Sequence, residues 1–162
     1  MSAETESEQT PLRVLLVEDD EGDALLVHEL LTDAGQPVEL VRARSLAEAE
    51  TVWSPQIDCV LLDLALPDST GLDGLVRMRE RGAGAVVVLT GFGDRENGLA
   101  AVAAGAQDYL VKGNIDGSML ERAVRYAVHR HRADLIAREL AQYEGAGGFE
   151  GPCELLICAG VK

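Results

Sequence analysis

The chain has 162 residues, 47% of them apolar and 26% charged, which is enough to bury one core and too short for two full domains. With 28 acidic residues against 14 basic ones the net charge is -14, so nucleic acid and anionic membrane surfaces are repelled and neither is an expected partner. No apolar run approaches the roughly 20 residues that span a bilayer, the first ten residues are polar, and the 3 cysteines form no paired framework, which points to the reducing cytoplasm.

Residues 1–11 read as a disordered acidic lead. Leu12–Val17 is a short apolar strand that runs into Glu18, Asp19 and Asp20. Asp23 to Ala34 carries apolar residues at 26, 27, 30 and 31, a helical stripe that Gly35 stops. Val38–Val41 is a second strand. Ser45 caps a helix through Trp53, with Glu48 placed for a capping box. The run 57–62 is a third strand closed by Asp63. A loop with Pro67, Asp68, Ser69 and Gly71 leads to a helix over 72–81. Residues 85–89 form a fourth strand ahead of Thr90 and Gly91. Residues 94–104 read as a helix with a small-residue face of Ala100, Ala101, Ala103 and Ala104. Asp108–Val111 is a fifth strand before Lys112, and a long helical pattern follows from Ser118 to Tyr143. The stretch 145–162 reads as a linker-like tail or the stub of a missing domain, with an extra strand packed on the main domain as the alternative.

Strands alternating with helices imply βαβ units on a parallel sheet, and the runs at 14–17, 59–62 and 86–89 lack the polar alternation of a half-exposed strand. Right-handed crossovers then give an α/β, doubly wound, three-layer domain over residues 12–130, with 131–144 extending the last helix. In such a sheet, function gathers outside the carboxyl ends of the strands. Those ends carry Glu18, Asp19 and Asp20, then Asp63, Thr90 and Lys112.

Carboxylates crowded there repel one another unless a cation joins them, and their hard oxygens suit Mg²⁺ that keeps several waters. A central Asp beside such an ion can act as a nucleophile toward phosphorus. Phosphoryl transfer then needs charge neutralisation, which a lysine ammonium and a Thr hydroxyl supply. The lysine is conspicuous: of the 14 basic residues only Lys112 and Lys162 are not arginine.

The segments VLLVEDDEGDALLV, DCVLLDLALPDSTGLDGL, VVVLTGFGD and AGAQDYLVKG resemble the receiver domain of two-component response regulators over residues 12–130. The resemblance implies a five-stranded parallel sheet in the order 2-1-3-4-5, a flavodoxin-like sandwich. It implies that Asp63 is the phosphoacceptor, that Glu18 and Asp19 are the acidic pair, with Asp19 a direct Mg²⁺ ligand and Glu18 acting through water, and that the backbone carbonyl of Ala65 is a further ligand beside Asp63. Thr90 and Lys112 match the switch hydroxyl and the phosphate-binding lysine, and Tyr109 matches the aromatic switch. The implied partners are a sensor histidine kinase or phosphotransfer protein, and a downstream effector or missing C-terminal output domain. The implied activity is that of a signalling module that phosphorylates and slowly dephosphorylates its own aspartate, read out by the fourth helix, fifth strand and last helix.

The sequence departs from the family pattern in having Gly113 where proline commonly follows the lysine, and Ala65 and Phe92 flank the site without polar groups. Ala65 also argues against a haloacid-dehalogenase-like phosphohydrolase, which needs a second Asp there, while Asp63 and Lys112 argue against a pseudo-receiver. Acids in place of a phosphate loop argue against a flavin site. His28, His129 and His131 read as surface helix positions, Cys59 as core, and Cys153 and Cys158 as isolated. The helix after 118 is read as a solvated face despite Arg122, Arg125, Arg130, Arg132 and Arg138. Leu120, Val124, Ala127 and Val128 make a stripe for the sheet, whereas Leu135, Ile136, Leu140 and Tyr143 form a second stripe suited to a homodimer through the last helix.

Overall fold

The computed structural model describes residues 10–143. Residues 1–9 of the expected acidic lead and the expected tail over 145–162, with Cys153 and Cys158, lie outside the described residues. The chain divides into two compact units, Met1–Val128 and His129–Lys162.

In the first unit, β1 (Leu12–Val17), β2 (Val38–Ala43), β3 (Cys59–Asp63), β4 (Val86–Thr90) and β5 (Asp108–Val111) alternate with α1 (Glu21–Asp33), α2 (Leu46–Val52), α3 (Asp73–Glu80) and α4 (Arg95–Ala103), and α5 (Gly117–Tyr143) begins there. The strands form one five-stranded parallel sheet in the order β2-β1-β3-β4-β5. Side chains alternate across a strand, so each central strand feeds two cores. Leu15, Val17, Val60, Leu62, Val86 and Val88 pack with Leu46, Leu75, Met78 and Ala101 of α2, α3 and α4. Val14, Leu16, Cys59, Leu61, Val87 and Leu89 pack with Ala24, Val27 and Leu31 of α1 and with Leu120, Val124, Ala127 and Val128 of α5. Every residue of β3 and β4 is buried, which is why those runs lack polar alternation.

The local signals resolve with informative differences. Ser45 caps α2 by accepting from the Glu48 backbone nitrogen at 3.1 Å, but the Glu48 carboxylate reaches Arg44 N at 2.7 Å instead of closing the box on Ser45. The remaining amides at that helix start, Leu46 N and Ala47 N, donate to Asp68 at 2.9 Å each. Those bonds hold the Asp68 carboxyl below its usual range and tie the loop after β3 to α2. The small-residue face of α4 is narrower than its composition suggests: Gly98 and Ala101 are buried, while Ala100, Ala103 and Ala104 are exposed.

In the second unit, the described part of α5 exposes Leu135, Ile136, Leu140 and Tyr143, each between 44% and 67% accessible.

Candidate functional site

Parallel pairing fixes where the polar residues meet. The register sets Val17 beside Leu62, Asp63 beside Leu89 and Thr90 beside Val111, so the carboxyl ends of four strands lie level at one edge. Glu18 follows β1 directly, Asp63 and Thr90 are the last residues of β3 and β4, and Lys112 follows β5. Glu18, Asp63 and Thr90 are the polar side chains that the sheet buries here, whereas Asp19 is exposed.

The Lys112 ammonium sits among the carboxylates, 2.6 Å from Glu18 Oε2, 3.0 Å from Asp63 Oδ2 and 3.0 Å from Asp23 Oδ2. Burial works against the ammonium, but its hydrogen bonds to Glu18, Asp23 and Asp63 outweigh that and raise its pKa above the ordinary lysine value. Glu18 fares differently. Burial pushes its carboxyl up to about 7, and the Asp63 charge adds to this, against the lowering pull of Lys112 and of the Asp20 backbone N–H.

Glu18, Asp19 and Asp63 each offer one carboxylate oxygen, and the three oxygens lie within 4.8 Å of one another. Glu18 Oε2 is buried, with the Lys112 ammonium against it at 2.6 Å. A buried carboxylate in an all-oxygen cluster fits a hard divalent cation such as Mg²⁺. Asp20 stands apart from this set, accepting from Asp23 N at 2.9 Å as the cap of α1.

The acidic loop is held from β2. Arg42 donates to Glu18 O at 3.2 Å from both Nε and Nη2, to Asp19 O and Asp20 O at 3.3 Å, and pairs with Glu21 Oε2 at 2.6 Å. One guanidinium thus clasps three successive carbonyls, a use of its planar fork that an ammonium could not match. Neither Arg42 nor the contact of Asp23 is apparent in the linear pattern.

Residues 14–125 match the response regulator receiver domain family. The chain belongs to that family. It is 33% identical over 132 residues to the KDP operon transcriptional regulatory protein KdpE of Escherichia coli, covering 80% of this chain and 57% of that protein. It is 37% identical over 114 residues to the alginate biosynthesis transcriptional regulatory protein AlgB of Pseudomonas syringae, covering 69% of this chain and 24% of that one. Among solved structures it resembles a receiver domain protein from Clostridium thermocellum, with a TM-score of 0.67 and 28% identity over 75% of this chain and 98% of the other. A response regulator structure from Chloroflexus aurantiacus has a TM-score of 0.65 and 30% identity, over 75% of this chain and all of the other. The chain spans 57% or less of the two curated relatives it is compared with here. Receiver domains are signalling modules of two-component systems, switched by phosphorylation.

Of the residues singled out in the sequence, Glu18, Asp19, Asp63 and Lys112 come together at one edge of the sheet. Asp63 Oδ1 accepts from the backbone nitrogen of Ala65 at 3.0 Å, which sets residue 65 beside the carboxylate. The Thr90 hydroxyl donates to Leu110 O at 3.4 Å, so at rest it is tied to β5. Tyr109 lies away from the acidic cluster, its ring against α4: a Cβ on Gly98 would sit 2.3 Å from Tyr109 Cδ2, so glycine alone admits the ring there. After Lys112, Gly113 takes a φ of +90°, a conformation proline cannot adopt, while Lys112 N still donates to Thr90 O at 2.8 Å. The β4–β5 register therefore places Lys112 without a following proline. Cys59 is buried in the core, its thiol pushed up to about 12 by that burial, and is chemically inert.

The raised Glu18 value yields a signed expectation. In the metal-free protein Glu18 binds its proton more tightly folded, at about 7, than unfolded, at 4.5. Its contribution to stability is then fully present below the unfolded value and is lost as pH rises through the folded one. The unfolding free energy of the wild type relative to Glu18→Gln, from urea titrations in chelator, should fall between about pH 4.5 and pH 7. A difference that stays flat or rises over that window contradicts the assignment.

Proposed function

We propose that Asp63 is the phosphoacceptor of this receiver domain and that residues 12–130 form the working switch. The observation that carries this reading is the placement of the Lys112 ammonium 3.0 Å from Asp63 Oδ2, beside the oxygens of Glu18 and Asp19. One oxygen of Asp63 attacks the phosphorus of a phosphohistidine on a sensor kinase or phosphotransfer protein. An O–P bond forms, the N–P bond breaks, and its electron pair stays on the imidazole, which leaves neutral when its other nitrogen carries a proton. Glu18, Asp19, Asp63 and the backbone carbonyl of Ala65 are the groups that would hold Mg²⁺, with Glu18 acting through water. When bound, the ion supplies neutralisation of charge on the phosphoryl oxygens. Lys112 donates to one of those oxygens. The Ala65 N–H fixes the Asp63 carboxylate, and the exposed Gly91 leaves room for the donor.

After transfer the Thr90 hydroxyl turns from Leu110 O to a phosphoryl oxygen, and Tyr109 follows, so that the α4–β5–α5 face reports the state. Slow hydrolysis reverses the step: water attacks phosphorus, the O–P bond breaks, and Asp63 returns as a carboxylate with release of inorganic phosphate. The named relatives, which are transcriptional regulators longer than this chain, support signalling to a downstream effector or to a C-terminal output domain. The charge of -14 supports a module that itself contacts neither nucleic acid nor membrane, and no described helix is long and apolar enough to cross one. The cytoplasm is the proposed location, since a kinase partner and free Mg²⁺ meet there.

Incubation with a small acyl phosphate and Mg²⁺ should add the mass of one phosphoryl group to the wild type and none to Asp63→Asn. An Asp63→Asn variant that still gains phosphate overturns the reading.

The second unit supports a further part of it. Leu135, Ile136, Leu140 and Tyr143 recur at helical spacing and are exposed, a stripe that another helix would bury, so the extension over 131–144 pairs with a second copy. The stripe spans less than three heptads, so the affinity is weak. Sedimentation at high concentration should show self-association that is lost on removal of residues 132–162. Two monomeric chains, phosphorylated or not, contradict it.

A further inference from the structure

We propose that Asp23 is a positioning residue for phosphoryl transfer, acting through Lys112 by holding its ammonium in place while the other carboxylates change partners; this rests on Asp63 being the phosphoacceptor. An ammonium has three N–H donors. Around Lys112 Nζ stand three carboxylate oxygens, from Glu18, Asp63 and Asp23, one for each donor. Two of these partners have a second duty, because Glu18 and Asp63 belong with Asp19 to the cluster that can take a cation. Asp23 does not. Once a cation draws on that cluster and a phosphoryl oxygen takes the place of Asp63 beside the ammonium, Asp23 is the carboxylate that keeps its claim on Lys112 unchanged.

The need for such a tether follows from the side chain and the loop. Lysine carries its charge on a flexible four-carbon stem. The residue after it is Gly113, whose backbone imposes none of the restraint of a proline. The head of Lys112 is therefore fixed from outside its own loop, by a carboxylate 89 residues earlier in the chain at the start of α1. The side chain of Asp23 is 42% exposed and that of Lys112 18%, so the pair lies at the rim of the site, with Asp23 on the solvent side. The competing explanation is that Asp23 only complements the positive end of α1, as an acidic residue in a first turn does. That role would be indifferent to Lys112.

The full chain with Asp23→Ala or Asp23→Asn separates the two. Lys112 and Lys162 are the only lysines, so the two ammonium groups can be told apart by ¹⁵N NMR. In the wild type with Mg²⁺, Lys112 should give a slowly exchanging ammonium signal. Asp23→Ala should lose it to fast exchange, and Asp23→Asn, which keeps an acceptor oxygen, should fall between. Phosphoryl gain from a small acyl phosphate, in which Asp63 attacks phosphorus and the O–P pair leaves on the acyl carboxylate, should be about fivefold slower in Asp23→Ala, the size a half-exposed ion pair supports, with Mg²⁺ affinity unchanged. An unchanged Lys112 signal, or an unchanged or faster transfer rate, overturns the proposal. If the wild type itself gains no phosphate, the reading of Asp63 has failed, and the ammonium signal still decides whether Asp23 holds Lys112.

Discussion

A single ammonium at the end of β5 neutralises carboxylates from two strand ends and a helix start. Lys112 reaches Glu18, Asp23 and Asp63 within 3.0 Å, and each arrives from a different part of the chain. Two of the three are buried, and buried carboxylates without a counter-charge would protonate or drive the strand ends apart. One positive charge against three negatives leaves a deficit. Burial is the main reason Glu18 holds its proton up to about 7, the Asp63 charge adds to it, and the same crowding of carboxylates makes the edge of the sheet a place that could hold a divalent cation.

The rest of the fold supplies the geometry that makes this electrostatic arrangement repeatable. Parallel strands all end on the same edge, and a register fixed by two hydrophobic cores sets those ends level to within a residue. The loops are then pinned from neighbouring elements. Arg42 of β2 clasps the carbonyls of the acidic loop, Asp68 ties the loop after β3 to the start of α2, and the Ala65 amide holds Asp63. Loops tied in this way hold the charges in place, the condition under which fixed dipoles and charges act most strongly. In the proposed function the Thr90 hydroxyl, bonded here to Leu110 O, is the group that exchanges one acceptor for another.

Much of this was legible in the sequence. Leu12–Val17 and Asp108–Val111 stand where the apolar runs put them, and β3 and β4 read as strands buried on both faces because their runs have no polar alternation. Spacings of one or two β/α units between Asp19, Asp63, Thr90 and Lys112 mark the polar edge in the linear sequence. What escaped has a common cause. Asp23 looked like the first turn of a helix, and its contact with a lysine 89 residues away depends on tertiary closure. Arg42 fell just past the run read as the second strand, which extends to Ala43, and its carbonyl partners are backbone atoms that leave no mark on the pattern. Glu48 kept the spacing of a capping box but bonded one residue earlier, to Arg44 N, while Asp68, from a distant loop, took the amides of Leu46 and Ala47. Gly98 gave no signal, because its reason is the ring of Tyr109 packed on the backbone of α4.

If the Lys112 ammonium and a divalent cation share the neutralisation of one carboxylate cluster, the unfolding free energy of Lys112→Ala, measured in chelator and again in saturating Mg²⁺, reads that sharing out. Removal of the Lys112 ammonium leaves the buried carboxylates of Glu18 and Asp63 unpaired, a loss of about 3 kcal/mol in chelator. Mg²⁺ should then stabilise the variant by more than it stabilises the wild type, since the ion takes over charge that the lysine no longer balances. A variant as stable as the wild type in chelator, or one that gains no more from Mg²⁺ than the wild type does, would contradict the account.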